Sequence, residues 1–124
     1  MLASIHISRT AAAVAALSVA GGCADDPQKI AQAQAACIRM AKEHLAAQAV
    51  SGEPTFADDV ANVSSDPDLD AFEFRWRVEE RTLQWNPPEA GKAVAGIYCG
   101  GYAAKKVVTR LVVGNRQLVT PRSY

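Results

Sequence analysis

Residues 72–79 alternate between apolar and charged side chains, which predicts a β-strand with one buried face and one wet, charged face. Trp76 lies on the apolar side of this alternation, so we expect it to pack in a core rather than to form an exposed stacking platform. The apolar positions of the predicted strand are Phe72, Phe74, Trp76 and Val78.

The segment Asn86-Pro87-Pro88 marks a loop after this strand. Leu83 and Trp85 are therefore expected either to continue the strand or to return along it in a short hairpin. Trp85 stands beside the two prolines, where we expect it to be exposed. It is the aromatic candidate for contact with a partner or a glycan.

A second strand is predicted at residues 93–98, with Cys99 continuing its buried face. Gly100 and Gly101 then predict a bulge or bend. Residues 105–119 predict a hairpin whose two-residue turn is Gly114-Asn115. The shared face of the second strand is Ala93, Ala95, Ile97 and Cys99.

The segment after residue 26 has the apolar spacing of one helical face. Asp25 and Asp26 before Pro27 are typical of a helix start, and Gly52 predicts an end soon after Val50. The predicted inner positions are Ile30, Ala33, Cys37, Ile38, Ala41 and Leu45.

The predicted fold class is α+β, with one N-terminal helix packed on a three- to four-stranded antiparallel meander sheet. This order of elements resembles small periplasmic helix-on-sheet folds, including cystatin-like ones. The resemblance covers topology alone, and topology at this level implies no function.

The first 22 residues have the features of a signal peptide: Arg9 precedes a short alanine-rich apolar run that ends in small residues. The stretch SVAGGC, ending at Cys23, resembles the lipobox of bacterial lipoproteins. The resemblance implies that Cys23 is lipidated and becomes the mature N-terminus. The alternatives are a plain secreted protein cut elsewhere and a buried alanine-rich helix.

The lipobox resemblance implies a signal peptide at residues 1–22 and a single small extracytoplasmic domain at residues 23–124. Ala24, rather than aspartate, follows Cys23, which in Gram-negative bacteria favours the outer membrane over the inner one. Loss of Arg9 with the signal leaves a formal charge of −1, because the full chain has 13 basic and 13 acidic residues. We therefore expect no nucleic-acid partner.

Cys37 and Cys99 remain once Cys23 carries lipid, and an even pair in an oxidising compartment predicts one disulfide. Two separate buried thiols are the alternative. The two cysteines with His44 give too few ligands for a metal site. His44 is the only histidine of the mature chain and has no evident base role. We expect no catalysis and no cofactor.

Two surface features are the candidate binding sites. Asp66, Asp68 and Asp70 alternate in a proline-containing loop and could offer oxygens to calcium, although a solvated loop in which Asp and Pro form turns is the favoured interpretation. From Lys92 onward the chain has six bases and no acid. Arg110 and Arg116 are the candidates there for contact with an anionic partner. The alternative explanations of these bases are internal charge pairing and protection of an edge strand, which together are favoured.

We therefore expect a membrane-anchored envelope lipoprotein with a non-catalytic domain that binds another envelope protein as an accessory or assembly module. The alternative is a ligand-binding lipoprotein, which holds calcium through the acidic loop or a cell-wall glycan through Trp85.

Overall fold

The computed structural model describes residues 27–48, 50–64, 70–118 and 121–124. The predicted signal peptide, the lipidation site Cys23 and the aspartates proposed to cap the first helix lie outside these residues. Asp66 and Asp68 of the predicted acidic loop also lie outside them. No helix in the described ranges is long and apolar enough to span a bilayer.

The helix α1 (Pro27–Ala47) packs one face on the sheet. Its alanines favour helical backbone and allow close packing because they are short. The helix ends at Ala47, slightly before the predicted end, and the backbone N–H of Val50 donates to the carbonyl of Leu45. Of the predicted inner positions, four are buried (Ala33, Cys37, Ala41 and Leu45) and two are half-buried (Ile30 and Ile38). Gln34, Ala36 and Met40 are buried as well.

The sheet opposite α1 is antiparallel and has three long strands in the order β2-β4-β5. They are β2 (Ala71–Arg77), β4 (Gly96–Tyr102) and β5 (Val107–Val113). Two short strands, β6 (Arg116–Gln117) and β7 (Arg122–Ser123), both pair with the outer edge of β5. The predicted α+β fold class, one helix on an antiparallel meander, is therefore confirmed. The cystatin-like order of elements stays a resemblance of topology.

Both predicted interruptions of the strands occur. The pairing of β4 with β5 shifts between Gly100 and Gly101, which is the predicted bulge. Val113 pairs with Arg116 across Gly114-Asn115, and Gly114 has φ of 68°. A positive φ is readily adopted by glycine, so this position suits the two-residue hairpin turn.

A second, two-stranded sheet consists of β1 (Glu53–Phe56) and β3 (Leu83–Asn86). Leu83 and Trp85 therefore neither continue β2 nor pair back on it. The chain leaves β2 through a turn in which the Thr82 hydroxyl accepts the N–H of Arg77 at 2.7 Å. This turn directs β3 toward β1, with Trp85 opposite Pro54 in the pairing.

The core lies between α1, the inner face of the long strands and the β1–β3 sheet. Phe72, Phe74 and Trp76 form its centre and are each no more than 1% exposed, as predicted for this face of β2. The rings of Phe72 and Phe74 stack at 5.5 Å between centroids, and Phe56 from β1 meets Trp76 edge-on at 5.5 Å. Burial of these large rings supplies much of the apolar stabilisation.

Three side chains that were predicted to face the core are exposed instead. Val78 is 41% exposed because β2 ends at Arg77 and the chain turns there. Ala93 and Ala95 are also exposed, since β4 begins only at Gly96 and the preceding residues form a turn. Ile97 and Cys99 do face the core, as expected.

Candidate interaction site on the outer sheet face

The long strands turn a second, largely polar face away from α1. We call this the outer face. Within the described ranges, no helix or strand covers it, and its side chains are exposed or half-buried. Antiparallel sheets commonly keep one such solvated face. Its central members are Glu73, Arg75, Arg77, Tyr98, Arg110 and Val112.

Two arginines contact the ring of Tyr98 at the middle of this face. Arg75 lies directly opposite Tyr98 in the β2–β4 pairing, and its guanidinium carbon is 5.6 Å from the ring centroid. The guanidinium carbon of Arg110, from β5, is 5.3 Å from the same centroid. Each contact has the geometry of a cation–π interaction, worth about 0.5–1 kcal/mol at an exposed site.

Gly100 provides the space for the Tyr98 ring to lie along the sheet. A Cβ atom at position 100 would stand 2.9 Å from the Tyr98 hydroxyl oxygen and 3.3 Å from the carbonyl oxygen of Phe72. Any larger residue there would lift the ring from the sheet. The glycine predicted only as part of a bulge thus also positions the tyrosine between the arginines.

Burial raises the pKa of Tyr98 above its ordinary value, and the nearby carboxylate of Glu73 raises it further by its charge and a hydrogen bond. Arg110 and Arg75 oppose this rise because their charges favour the phenolate. The phenol therefore keeps its proton at neutral pH and serves as an aromatic surface and hydrogen-bonding group.

The charges of Arg75 and Arg110 are not neutralised by an ion pair with any carboxylate of the described residues. Arg77, at the end of β2, differs because Glu80 lies 3.9 Å from its guanidinium. Both residues of that pair are about half exposed, so the pair contributes little stability. Two guanidinium groups thus contact one ring, and neither is held in an ion pair among the described residues.

A shallow trough of about 380 Å³ runs beside this cluster. Its floor includes the backbone of Gly96 and Gly114, which have no side chains to fill it. Its walls are formed by Arg75, Arg77, Tyr98, Arg110 and Val112.

Trp85 is only 7% exposed, so the expectation that this ring lies on the surface is wrong. The indole packs against Gly91, where any side chain would collide with the ring. Gly91 belongs to a 3-10 turn, Pro88–Gly91, which follows the proline loop and closes over the ring. The indole Nε1 is buried without a hydrogen-bond partner among the described residues.

The two predicted arginines lie on different sides of the domain. Arg110 is on the outer face, whereas Arg116 in β6 lies at the end of α1, where it donates to Gln48 Oε1 at 3.4 Å. A groove of about 540 Å³ there is lined by His44, Arg116 and Arg122, among others. Burial lowers the pKa of His44, and the charge of Arg116 lowers it further.

The acidic loop is described only at Asp70, whose φ is 54° and whose carbonyl accepts the N–H of Ala103 at 2.8 Å. No cluster of three His, Cys, Asp or Glu residues fit to hold a metal occurs in the part of the chain that the structure describes. Since Asp66 and Asp68 are not described, calcium binding stays a prediction.

Sequence reasoning selected Arg110 but missed Arg75 and Tyr98 as its neighbours. The signal was present, because Arg75 alternates with the core residues of β2 and Tyr98 alternates with Ile97 and Cys99. Only the pairing of β2 with β4, and of β4 with β5, brings the three together.

No family model, no curated protein and no solved structure matches the chain.

Proposed function

We propose that the protein is a lipid-anchored lipoprotein of the bacterial envelope, whose small domain binds another envelope protein through the outer face without catalysing a reaction. The lipobox-like stretch ending at Cys23 supports the anchor and, with Ala24 after it, the outer membrane. The proposed role is that of an accessory or assembly module.

One observation carries the binding role: Arg75 and Arg110 converge on Tyr98 on a sheet face that no described element covers. Arginine and tyrosine are enriched where protein interfaces concentrate their binding energy. Two positive charges on one exposed face also suit an anionic partner, because complementary charges favour association.

The alternative glycan contact at Trp85 loses its support because that ring is buried. No group of side chains in the described ranges favours calcium over a protein partner. The outer face therefore carries the proposal.

Site-specific photocrosslinking in native envelopes tests the proposed function. A benzoylphenylalanine placed at Val112, in the trough wall, should give one discrete adduct. The matched control is the same probe at Lys29, which is exposed on α1 on the opposite side of the domain and should give none. The Val112 adduct should disappear when Arg75→Glu and Arg110→Glu are combined.

The Cys23→Ser variant cannot be lipidated, so it should be mislocalised and should lose the adduct. Unchanged far-ultraviolet circular dichroism would show that the glutamate variants still fold, as exposed substitutions usually do. An adduct that forms equally at Lys29, or that survives both glutamate substitutions, would overturn the binding role of the outer face.

A further inference from the structure

We infer that the trough of the outer face is a carboxylate-binding subsite that receives an acidic side chain from an extended segment of the partner protein. This inference rests on the proposed function, because it specifies the chemistry of the partner at the same face.

The chemistry of the two arginines favours a planar anion with two oxygen atoms, such as a carboxylate. The strands β2 and β5 are separated by β4, so their backbones stand two strand spacings apart, roughly 10 Å. Arg75 and Arg110 nevertheless both reach the ring of Tyr98, at 5.6 and 5.3 Å. A guanidinium group presents paired N–H donors that match the two oxygens of a carboxylate.

The trough favours a side chain of a docked segment over a free small molecule. Small-ligand pockets usually enclose 70–90% of their ligand. Here Arg75, Arg77 and Arg110 are exposed and Tyr98 is only half-buried, so the walls leave one side open. A segment lying across the sheet would insert one acidic side chain and cover the open side with its own backbone.

The position of the trough also favours a protein over the anionic headgroups of the anchoring membrane. Pro27, at the start of α1 and only a few residues after the proposed lipid on Cys23, lines a cavity together with Ala71. Ala71 begins β2, whereas Arg75 and Arg77 lie at the far end of that strand. The trough therefore lies toward the end of the sheet that is farther from the anchor, and on the side opposite α1.

Fluorescence anisotropy with the lipidated protein in a neutral detergent tests the inference. The probe is a labelled peptide of alternating Glu and Ser, which places every second side chain on one face when extended. Its control is the same peptide with Gln in place of Glu. We expect the Glu peptide to bind about tenfold more tightly, with a difference that shrinks as salt is raised.

Variants of the arginines locate the contact. Arg75→Gln and Arg110→Gln should each weaken binding of the Glu peptide about tenfold, because each removes a charged donor pair. Arg110→Lys should retain part of the affinity, since it keeps the charge but loses the planar fork. Lys29→Gln is the matched control, which removes one positive charge from the opposite side and should leave binding unchanged.

Equal binding of the Glu and Gln peptides, absence of binding by either, or equal weakening by Lys29→Gln would overturn the inference. Sedimentation of the Cys23→Ser full chain with phosphatidylglycerol vesicles provides a further test. Vesicle binding that disappears with Arg75→Gln and Arg110→Gln would assign the face to lipid headgroups and also overturn the inference.

The two proposals fail in distinguishable ways. A Val112 adduct that depends on the arginines, with no preference for the Glu peptide, would retain the protein-binding role and exclude carboxylate recognition. A preference for the Glu peptide without any Val112 adduct in native envelopes would instead remove the proposed cellular role and leave the subsite.

Discussion

The indole Nε1 of Trp76 donates a hydrogen bond of 2.9 Å to the carbonyl oxygen of Ala57. This bond joins the fully buried centre of β2 to the segment that follows β1. The backbone N–H of Ala57 also forms a hydrogen bond, which it donates to the carbonyl oxygen of Thr82 just before β3. One side chain of the large sheet thus fixes the position of the small sheet beside it.

Replacement of Trp76 by Phe should therefore destabilise the domain more than replacement of Trp85 by Phe. Both side chains are buried, but Trp85 Nε1 has no hydrogen-bond partner among the described residues. Trp85→Phe therefore breaks no hydrogen bond among those residues. Trp76→Phe leaves the carbonyl of Ala57 without its donor, which costs about 1–3 kcal/mol beyond the lost ring volume. Urea unfolding followed by circular dichroism measures both free energies of unfolding. Equal losses would show that the Trp76 hydrogen bond contributes nothing net.

The predicted pairing of Cys37 with Cys99 is present, with the two Cα atoms 6.0 Å apart. It joins α1 to the central strand β4 and closes a loop with a sequence separation of 62 residues. The chain-entropy model gives about 4 kcal/mol for a loop of this length.

The double variant Cys37→Ala with Cys99→Ala should lower the free energy of unfolding by about this amount, measured by urea unfolding in a Cys23→Ser background. In the parent, thiol labelling of the oxidised protein, unfolded in denaturant without reductant so that buried thiols become accessible, should modify neither Cys37 nor Cys99. Labelling of both, or a loss well below about 1 kcal/mol, would contradict the stabilising role.

Two glycines of β4 should differ sharply in their tolerance of alanine. A Cβ at Gly101 would collide with the carbonyl oxygen of Val107 and stand 2.9 Å from both Phe72 and the Cα of Val108. At Gly96 the nearest atom is the carbonyl oxygen of Trp76, at 3.2 Å. Gly101→Ala must therefore displace backbone, whereas Gly96→Ala needs a shift of only a few tenths of an ångström.

We expect Gly101→Ala to cost about 2–3 kcal/mol and Gly96→Ala less than about 1 kcal/mol. Thermal and urea unfolding of the two variants measure the difference. Similar stabilities would mean that the bulge relaxes to accept a methyl group, and the close packing of β4 on β5 at Gly101 would then not restrict this position.

The elements that could be predicted from the sequence are those whose pattern of apolar, polar and turn residues is set by near neighbours in the chain. The alternation along β2, the apolar stripe of α1 and the Gly114-Asn115 turn each depend on neighbours in the chain, and each is confirmed. Pairing between distant segments is not encoded in that way. The β1–β3 sheet joins residues about 30 apart, so the alternation around Leu83 and Trp85 could not reveal its partner.

The candidate site was only partly predictable for the same reason. Arg110 was selected from charge, but charge alone grouped it with Arg116, which the hairpin places beside α1 instead. Trp85 was assigned to the surface because prolines follow it, although the 3-10 turn after those prolines folds over the ring. Arg75 and Tyr98 became part of the site only through strand register.

The imidazole of His44 should titrate below the ordinary histidine pKa of about 6.5. Burial is the larger cause of its lowered pKa, and the positive charge of Arg116 is the second. Because the folded state favours the neutral ring, His44 contributes stability above the unfolded pKa. This contribution is lost as the pH falls through the lower, folded pKa.

Proton NMR titration of the Cε1–H signal measures this pKa directly, because His6 is removed with the predicted signal peptide and leaves one histidine. Arg116→Gln should raise the pKa of His44 without restoring the ordinary value, since burial remains. Arg116→Lys should leave it nearly unchanged, and Lys29→Gln, at the other end of α1, should have no effect. A pKa that does not move in Arg116→Gln would show that solvent screens the guanidinium charge from the imidazole and that burial alone sets the titration.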